Sequence, residues 1–224
     1  ICDNCRRTVR VIDGESAIEV LTESGVFAPF EPAPADLERA AGFLRNRPIV
    51  LAPKKQGIPA AERSEVGQAL AVWGDDGWGR SIERGKYADR RFRDDIVDAL
   101  AALLDSWSPP TPIQWVTAVP SSRSGDLVPD AARRLAERLG VSYRPAIERI
   151  AERPPQEAQA NSAHQRSNVE DAFAVSGEVS TGAVLVVDDL IDSGWTLTEV
   201  GRVLRRAGSG PVVPLALATT PIRN

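Results

Sequence analysis

Between residues 184 and 196 the chain reads Val-Leu-Val-Val-Asp-Asp-Leu-Ile-Asp-Ser-Gly-Trp-Thr. Four apolar residues from Val184 to Val187 read as a buried strand, and an acid pair, Asp188 and Asp189, follows at once. In an open parallel sheet ligands bind beyond the C-terminal ends of the strands, so the pair is expected at a binding edge. Asp192, Ser193, Gly194, Trp195 and Thr196 then lead into a helix from about Trp195 to Ala207. Such a loop aims unpaired N–H groups at one point, where the helix dipole also favours an anion. Gly194 lets the backbone approach a phosphate with no Cβ in the way. Ser193 and Thr196 add hydroxyl donors, while Asp188 and Asp189 can accept hydrogen bonds from a sugar diol. Charge-assisted bonds of that kind are worth about 1.5–3 kcal/mol each.

The surrounding pattern alternates strand and helix. Ile113 to Val119 is a strand candidate that ends in Pro-Ser-Ser-Arg-Ser-Gly, and Asp126 to Leu139 is a helix closed by Gly140. A second short strand is expected over Val141 to Arg144 and a last one over Val212 to Leu217. Alternation of this kind implies right-handed crossovers and a largely parallel sheet. The fold class expected is α/β, a Rossmann-like parallel-sheet domain over residues 108–224, preceded by a smaller, mainly helical region over 7–107. Within that region, residues 93–107 place Ile96, Leu100, Leu103, Leu104 and Trp107 on one helical stripe. The runs EPAPADLERA and IPAAERSEVGQALAV each set Pro before a helix-forming segment, a favoured start. Ser-Pro-Pro-Thr-Pro at 108–112 acts as the boundary.

A net charge of −4 argues against a domain that coats nucleic acid by bulk charge. Arg90, Arg91 and Arg93 are interleaved with Asp89, Asp94 and Asp95, the pattern of a mixed solvated face. No apolar run reaches the length of a membrane span, so a cytoplasmic protein without a membrane partner is expected. Position 1 is Ile and the sequence holds no Met, from which the expectation is a fragment of a longer protein.

The thirteen-residue stretch resembles the phosphoribosyl-pyrophosphate motif of type I phosphoribosyltransferases. The resemblance implies that Asp188 and Asp189 are the catalytic acids, and that Asp192, Ser193, Gly194, Trp195 and Thr196 bind the substrate. It also implies a pyrophosphate-binding loop at Val119 to Ser124, with Ser121, Ser122 and Arg123 as ligands. Mg²⁺ would enter with phosphoribosyl pyrophosphate, bridging pyrophosphate oxygens and sugar hydroxyls. Gln159, Arg166, Asn168, Val169 and Phe173 are similar to the hood segment of competence-protein-type members, which adds Arg166 to the substrate-binding set.

At the N-terminus Cys2-Asp3-Asn4-Cys5 has zinc-ligand spacing, but two cysteines do not close a tetrahedral site. This motif resembles the second half of the four-cysteine zinc module of RecQ-type DNA helicases, and residues 57–79 look similar to the C-terminal region of the bacterial RecQ-like members. The resemblance implies that residues 1–6 are the remnant of a zinc module whose Zn²⁺ belongs to the intact parent only. The partners implied are the parent's helicase motor and, through the parent, DNA in repair. No G-x-x-x-x-G-K-[ST] loop occurs, so the motor itself is not in this chain. Three readings stay open: an active phosphoribosyltransferase, a binder of phosphoribosyl pyrophosphate or a nucleotide that transfers nothing, and a non-catalytic docking or DNA-binding module on the same fold.

Overall fold

The Pro-flanked run expected as a helix from residue 58 instead supplies a central strand. In the computed structural model, Ala60–Glu62 forms a single 3-10 turn and Gly67–Val72 is a six-residue strand, almost wholly buried. Gln68, Ala69, Leu70 and Ala71 carry fair helix propensity, but a strand flanked on both sides and covered on both faces recovers more by burial. The structure describes residues 9–13, 17–21, 27–30, 49–55, 57–121, 124–150 and 171–221, and for those before 49 the backbone alone.

Three short strands, β1 (Val9–Asp13), β2 (Ala17–Leu21) and β3 (Phe27–Phe30), pair antiparallel in sequence order. The main sheet begins with β4 (Ile49–Leu51) and β5 (Gly67–Val72). Helices α1 (Gly79–Tyr87) and α2 (Asp94–Trp107) follow, then β6 (Trp115–Ala118), α3 (Leu127–Leu139) and β7 (Ser142–Tyr143). A separate antiparallel pair, β8 (Ile147–Arg149) and β9 (Phe173–Val175), precedes β10 (Val184–Ile191), α4 (Trp195–Arg206) and β11 (Val212–Thr219). The strand order is β4-β5-β11-β10-β6-β7, parallel throughout except for β4 at one edge.

Period-two alternation divides the central strands between two cores. Leu185 and Val187 of β10, with Val213, Leu215 and Leu217 of β11, face Ile82, Phe92, Ile96, Leu100 and Leu135 of the α1–α3 layer. Val184 and Val186 face the other way, toward Leu197, Val200 and Leu204 of α4 and toward Ile147 and Phe173 of the β8–β9 pair. The expected α/β architecture with a mostly parallel sheet is therefore present. The amphipathic helix at 93–107, the helix after Asp126 and its closure by left-handed Gly140 are also as expected.

Residues 49–107 differ from the mainly helical linking region expected. They supply two of the six strands of the main sheet, and α1 and α2 lie on the same core as α3. Glu62 joins this segment to α4 through Arg202 at 3.2 Å and Arg206 at 3.0 Å. The body thus starts well before the Pro-rich stretch at 108–112. The helical run expected after Pro32 lies outside the described residues. No helix among the described residues is long and apolar enough to cross a membrane.

Candidate functional site

The acid pair stands on a strand, not in a loop. β10 runs on past Val187 through Ile191, with Asp188 opposite Ala216 and Leu190 opposite Ala218 of β11. The carboxylates are therefore carried by rigid, paired backbone, and the turn proper is only residues 192–194 before α4 begins. Gly194 has φ +78°, a left-handed conformation open to glycine at little cost. It occupies the N-cap of α4 and, lacking a side chain, makes no cap hydrogen bond of its own.

Three other strand ends, those of β5, β6 and β11, lie at the same edge of the sheet. The N–H of Val119 donates to the Val187 carbonyl at 2.9 Å, which sets the segment after β6 beside the acid pair. Trp73, just past β5, donates its N–H to Thr219 at 2.8 Å, and the Thr220 N–H donates to Ile191 at 2.8 Å. The Thr220 hydroxyl also donates to Asp192 Oδ1 at 2.9 Å, which ties down the turn.

Side chains then close the arrangement. The Ser124 hydroxyl donates to Asp189 Oδ2 at 2.8 Å, and Lys86 Nζ of α1 lies 2.9 Å from the same oxygen. The backbone N–H of Asp189 donates to Asp188 Oδ1 at 2.9 Å. The Ser121 hydroxyl accepts the N–H of Ser124 at 3.1 Å, so the first turn of this loop folds on itself next to the acids. Asp188 and Asp189 are only 8% and 6% exposed. Burial, and next the adjacent Asp189 charge, push the Asp188 carboxyl up to about 8; the Asp189 N–H and Lys86 oppose this only in part.

The structure thus brings Ser121, Asp188, Asp189, Asp192, Ser193, Gly194, Trp195 and Thr196 to one end of the sheet. Ser122, Arg123, Arg166, Cys2 and Cys5 lie outside the described residues. Three participants were not singled out from the sequence. Ser124 ends the expected pyrophosphate loop but has no role of its own in that expectation. Lys86 comes from a helix far from the motif, and Lys54 from the segment after β4. Lys54 Nζ sits 5.6 Å from the centroid of the Trp195 ring, and a Cβ on Gly194 would lie 3.8 Å from Lys54 Cε. Two ammonium groups therefore flank the motif, one at its acid end and one at its glycine end.

Among the described residues no cluster of three or more His, Cys, Asp or Glu could hold a metal ion unaided. Asp189, joined by Asp188 once that group is deprotonated, suits Mg²⁺, which takes one or two carboxylates together with ligand phosphate oxygens and water.

A strand-borne acid pair, a serine loop and a helix start with glycine at its N-cap meet at the C-terminal edge of one parallel sheet, the edge at which such sheets bind ligands. Residues 121–218 match the family model of the phosphoribosyl transferase domain. The matched segment includes both the acid pair and most of the serine loop, and excludes Lys54 and Lys86. Adenine phosphoribosyltransferase from Saccharomyces cerevisiae, complexed with an imino-altritol bisphosphate and adenine, is similar at 16% identity, over 82% of this chain and 89% of that one, with a TM-score of 0.42. Purine phosphoribosyltransferase from Pyrococcus horikoshii Ot3 is 22% identical over 57% of this chain and 73% of that one, with a TM-score of 0.37. Orotate phosphoribosyltransferase from Aeropyrum pernix is 19% identical over 84% and 81%, also with a TM-score of 0.37. No curated protein matches the chain.

The Ser124 contact carries an energetic expectation. Ser124→Ala removes a donor to a buried carboxylate, and the loss expected is about 1.5–3 kcal/mol of unfolding free energy. Urea unfolding checks it: the midpoint falls and the slope is unchanged.

Proposed function

We propose that this phosphoribosyltransferase-like domain binds phosphoribosyl pyrophosphate, or a nucleotide of the same sugar phosphate, together with Mg²⁺. The observation that supports this best is the 2.8 Å bond from Ser124 to Asp189, which joins the serine loop to the acid pair. A sugar whose hydroxyls reach Asp188 and Asp189 would direct its 5-phosphate to the Ser193–Thr196 turn and its pyrophosphate to the loop that starts at Ser121. Lys54, beside Gly194, adds a positive charge at the phosphate end.

Transfer would break the bond between the anomeric carbon and pyrophosphate, the electron pair leaving with the pyrophosphate, while an acceptor supplies the pair for the new bond. Positive charge that develops on the sugar ring would lie next to two strand-held, largely buried acids. Mg²⁺, when bound, would offset charge on the leaving group. Sugar hydroxyls that donate charge-assisted bonds to both acids favour Asp188 as a carboxylate. Because Asp188 is held protonated up to about 8, ligand binding at neutral pH is expected to release a proton. Titrations in buffers of different ionisation enthalpy read that release directly.

The first experiment is isothermal titration of phosphoribosyl pyrophosphate with Mg²⁺. Micromolar binding, about −8 kcal/mol, supports the reading and justifies a screen of acceptor bases for turnover. A folded protein that shows no heat overturns it and leaves the docking reading in its place.

The origin of the chain in a bacterial RecQ-like DNA-repair helicase is a separate proposal. Residues 57–79, which carry part of the likeness to such helicases, hold a 3-10 turn, β5 and the entry to α1 of this same body. The helicase reading rests on that likeness together with Cys2-Asp3-Asn4-Cys5. It expects a longer parent chain with DNA-dependent ATP hydrolysis and a zinc ion lost on replacement of those cysteines.

A further inference from the structure

Lys86 lies outside the phosphoribosyl transferase segment, yet its ammonium makes a short ion pair inside the candidate site. The pair is nearly dry, with side chains 15% and 8% exposed. Lys86 is held from several directions. Its Nζ sits 5.8 Å from the centroid of the Trp73 ring, and the Tyr87 ring meets Trp73 edge-on at 5.9 Å and 82°. The helix that carries it is fixed at its start by Asp75, whose Oδ1 accepts the N–H groups of Gly77 at 3.0 Å and Gly79 at 2.8 Å. The turn between β5 and α1 is thereby locked, and Lys86 is aimed across the end of the sheet.

Both the Lys86 ammonium and the Ser124 hydroxyl fall on Oδ2 of Asp189. Two donors on one oxygen fix the carboxylate's rotation and leave Oδ1 as the atom offered to a ligand. A buried ion pair is a poor way to gain stability alone, since an apolar pair of the same volume often does as well. Its value here lies in orientation.

We propose that Lys86 is a positioning residue of this site: its ion pair with Asp189, seated on Trp73, fixes which carboxylate oxygen meets the sugar hydroxyls. The inference rests on the reading of the site as one for a ribose phosphate. Lys86 acts through Asp189 and on the sugar, not on the pyrophosphate.

The test compares two probes on the whole chain, ribose 5-phosphate and inorganic pyrophosphate, each with Mg²⁺ in isothermal titration. Lys86→Met is expected to weaken ribose 5-phosphate by about tenfold or more, the worth of one charge-assisted hydrogen bond. Pyrophosphate affinity should stay within about twofold. Lys86→Arg, which can re-form the pair, should recover most of the loss, and Lys86→Gln should show the same split between probes if the Met variant does not fold. Equal losses on both probes, a loss confined to pyrophosphate, or no loss at all overturns the proposal while the site reading stands. A wild-type protein that binds neither probe overturns the site reading and this inference with it.

Discussion

Replacement of Asp188 and Asp189 together by asparagine is expected to abolish binding of phosphoribosyl pyrophosphate while the protein stays folded. Both residues sit within a paired strand, and their backbone bonds do not depend on the carboxylates. Asparagine has nearly the same volume and keeps an oxygen that can accept from Ser124, from Lys86 and from the N–H of residue 189. What disappears is negative charge beside the sugar. Two charge-assisted bonds at about 1.5–3 kcal/mol each correspond to a loss of about a hundredfold or more, which takes a micromolar ligand beyond calorimetric reach. Unchanged affinity in a folded double variant would remove the acid pair from the site. Circular dichroism and a cooperative thermal transition establish the fold independently.

The second large effect is on stability against pH. Asp188 is held up to about 8 in the folded protein, far above the ordinary carboxyl value of 3.8 that it recovers on unfolding. Between those values the folded chain keeps a proton that the unfolded chain has lost, so unfolding free energy falls as pH rises and levels off above about 8. Each unit of separation is worth about 1.4 kcal/mol, so the decline is on the order of 5 kcal/mol across the window. Asp94 runs the other way: the Arg134 guanidinium holds its carboxyl below the usual range, which adds stability that is lost only as pH drops through the acid range. The wild-type optimum should therefore lie on the acid side of neutrality. Asp188→Asn should flatten the decline and make the protein more stable than wild type at pH 8, with little difference near pH 4. Parallel urea series from pH 4 to 9 decide it, and identical slopes in the two proteins would count against a buried, protonated Asp188.

Legibility in the sequence followed the strength of local signals. The strand from Val184 and the helix after Gly194 could be read because an unbroken apolar run meets a run of acids and a glycine, and nothing else satisfies both. The end of that strand could not be read: Asp188 and Asp189 look like loop residues, and only their pairing with β11 carries the strand to Ile191. β5 was hidden because Gln68-Ala69-Leu70-Ala71 favours a helix locally, and its strand state is imposed by β11 on one side and β4 on the other. β8 and β9 are three residues each and exist through each other. In the site, the contiguous motif was visible, whereas Lys54 and Lys86 were not, since a lysine in an exposed-looking helix or turn gives no sign of a partner so far along the chain.

The position of β5 bears on how this protein can be divided. A polypeptide that began at residue 108 would keep the whole matched segment, the acid pair and the serine loop, yet would lose the strand that covers one side of β11. The strand Val212–Thr219, every residue but the last buried, would then present the unpaired backbone groups of its Leu215–Thr219 half along an uncharged edge. Such an edge recruits whatever strand is nearest, most often another copy of itself. A shortened protein of that kind should come out of cells as insoluble aggregate or as soluble oligomers, whereas a cut made ahead of β4 should give a protein that stays in solution.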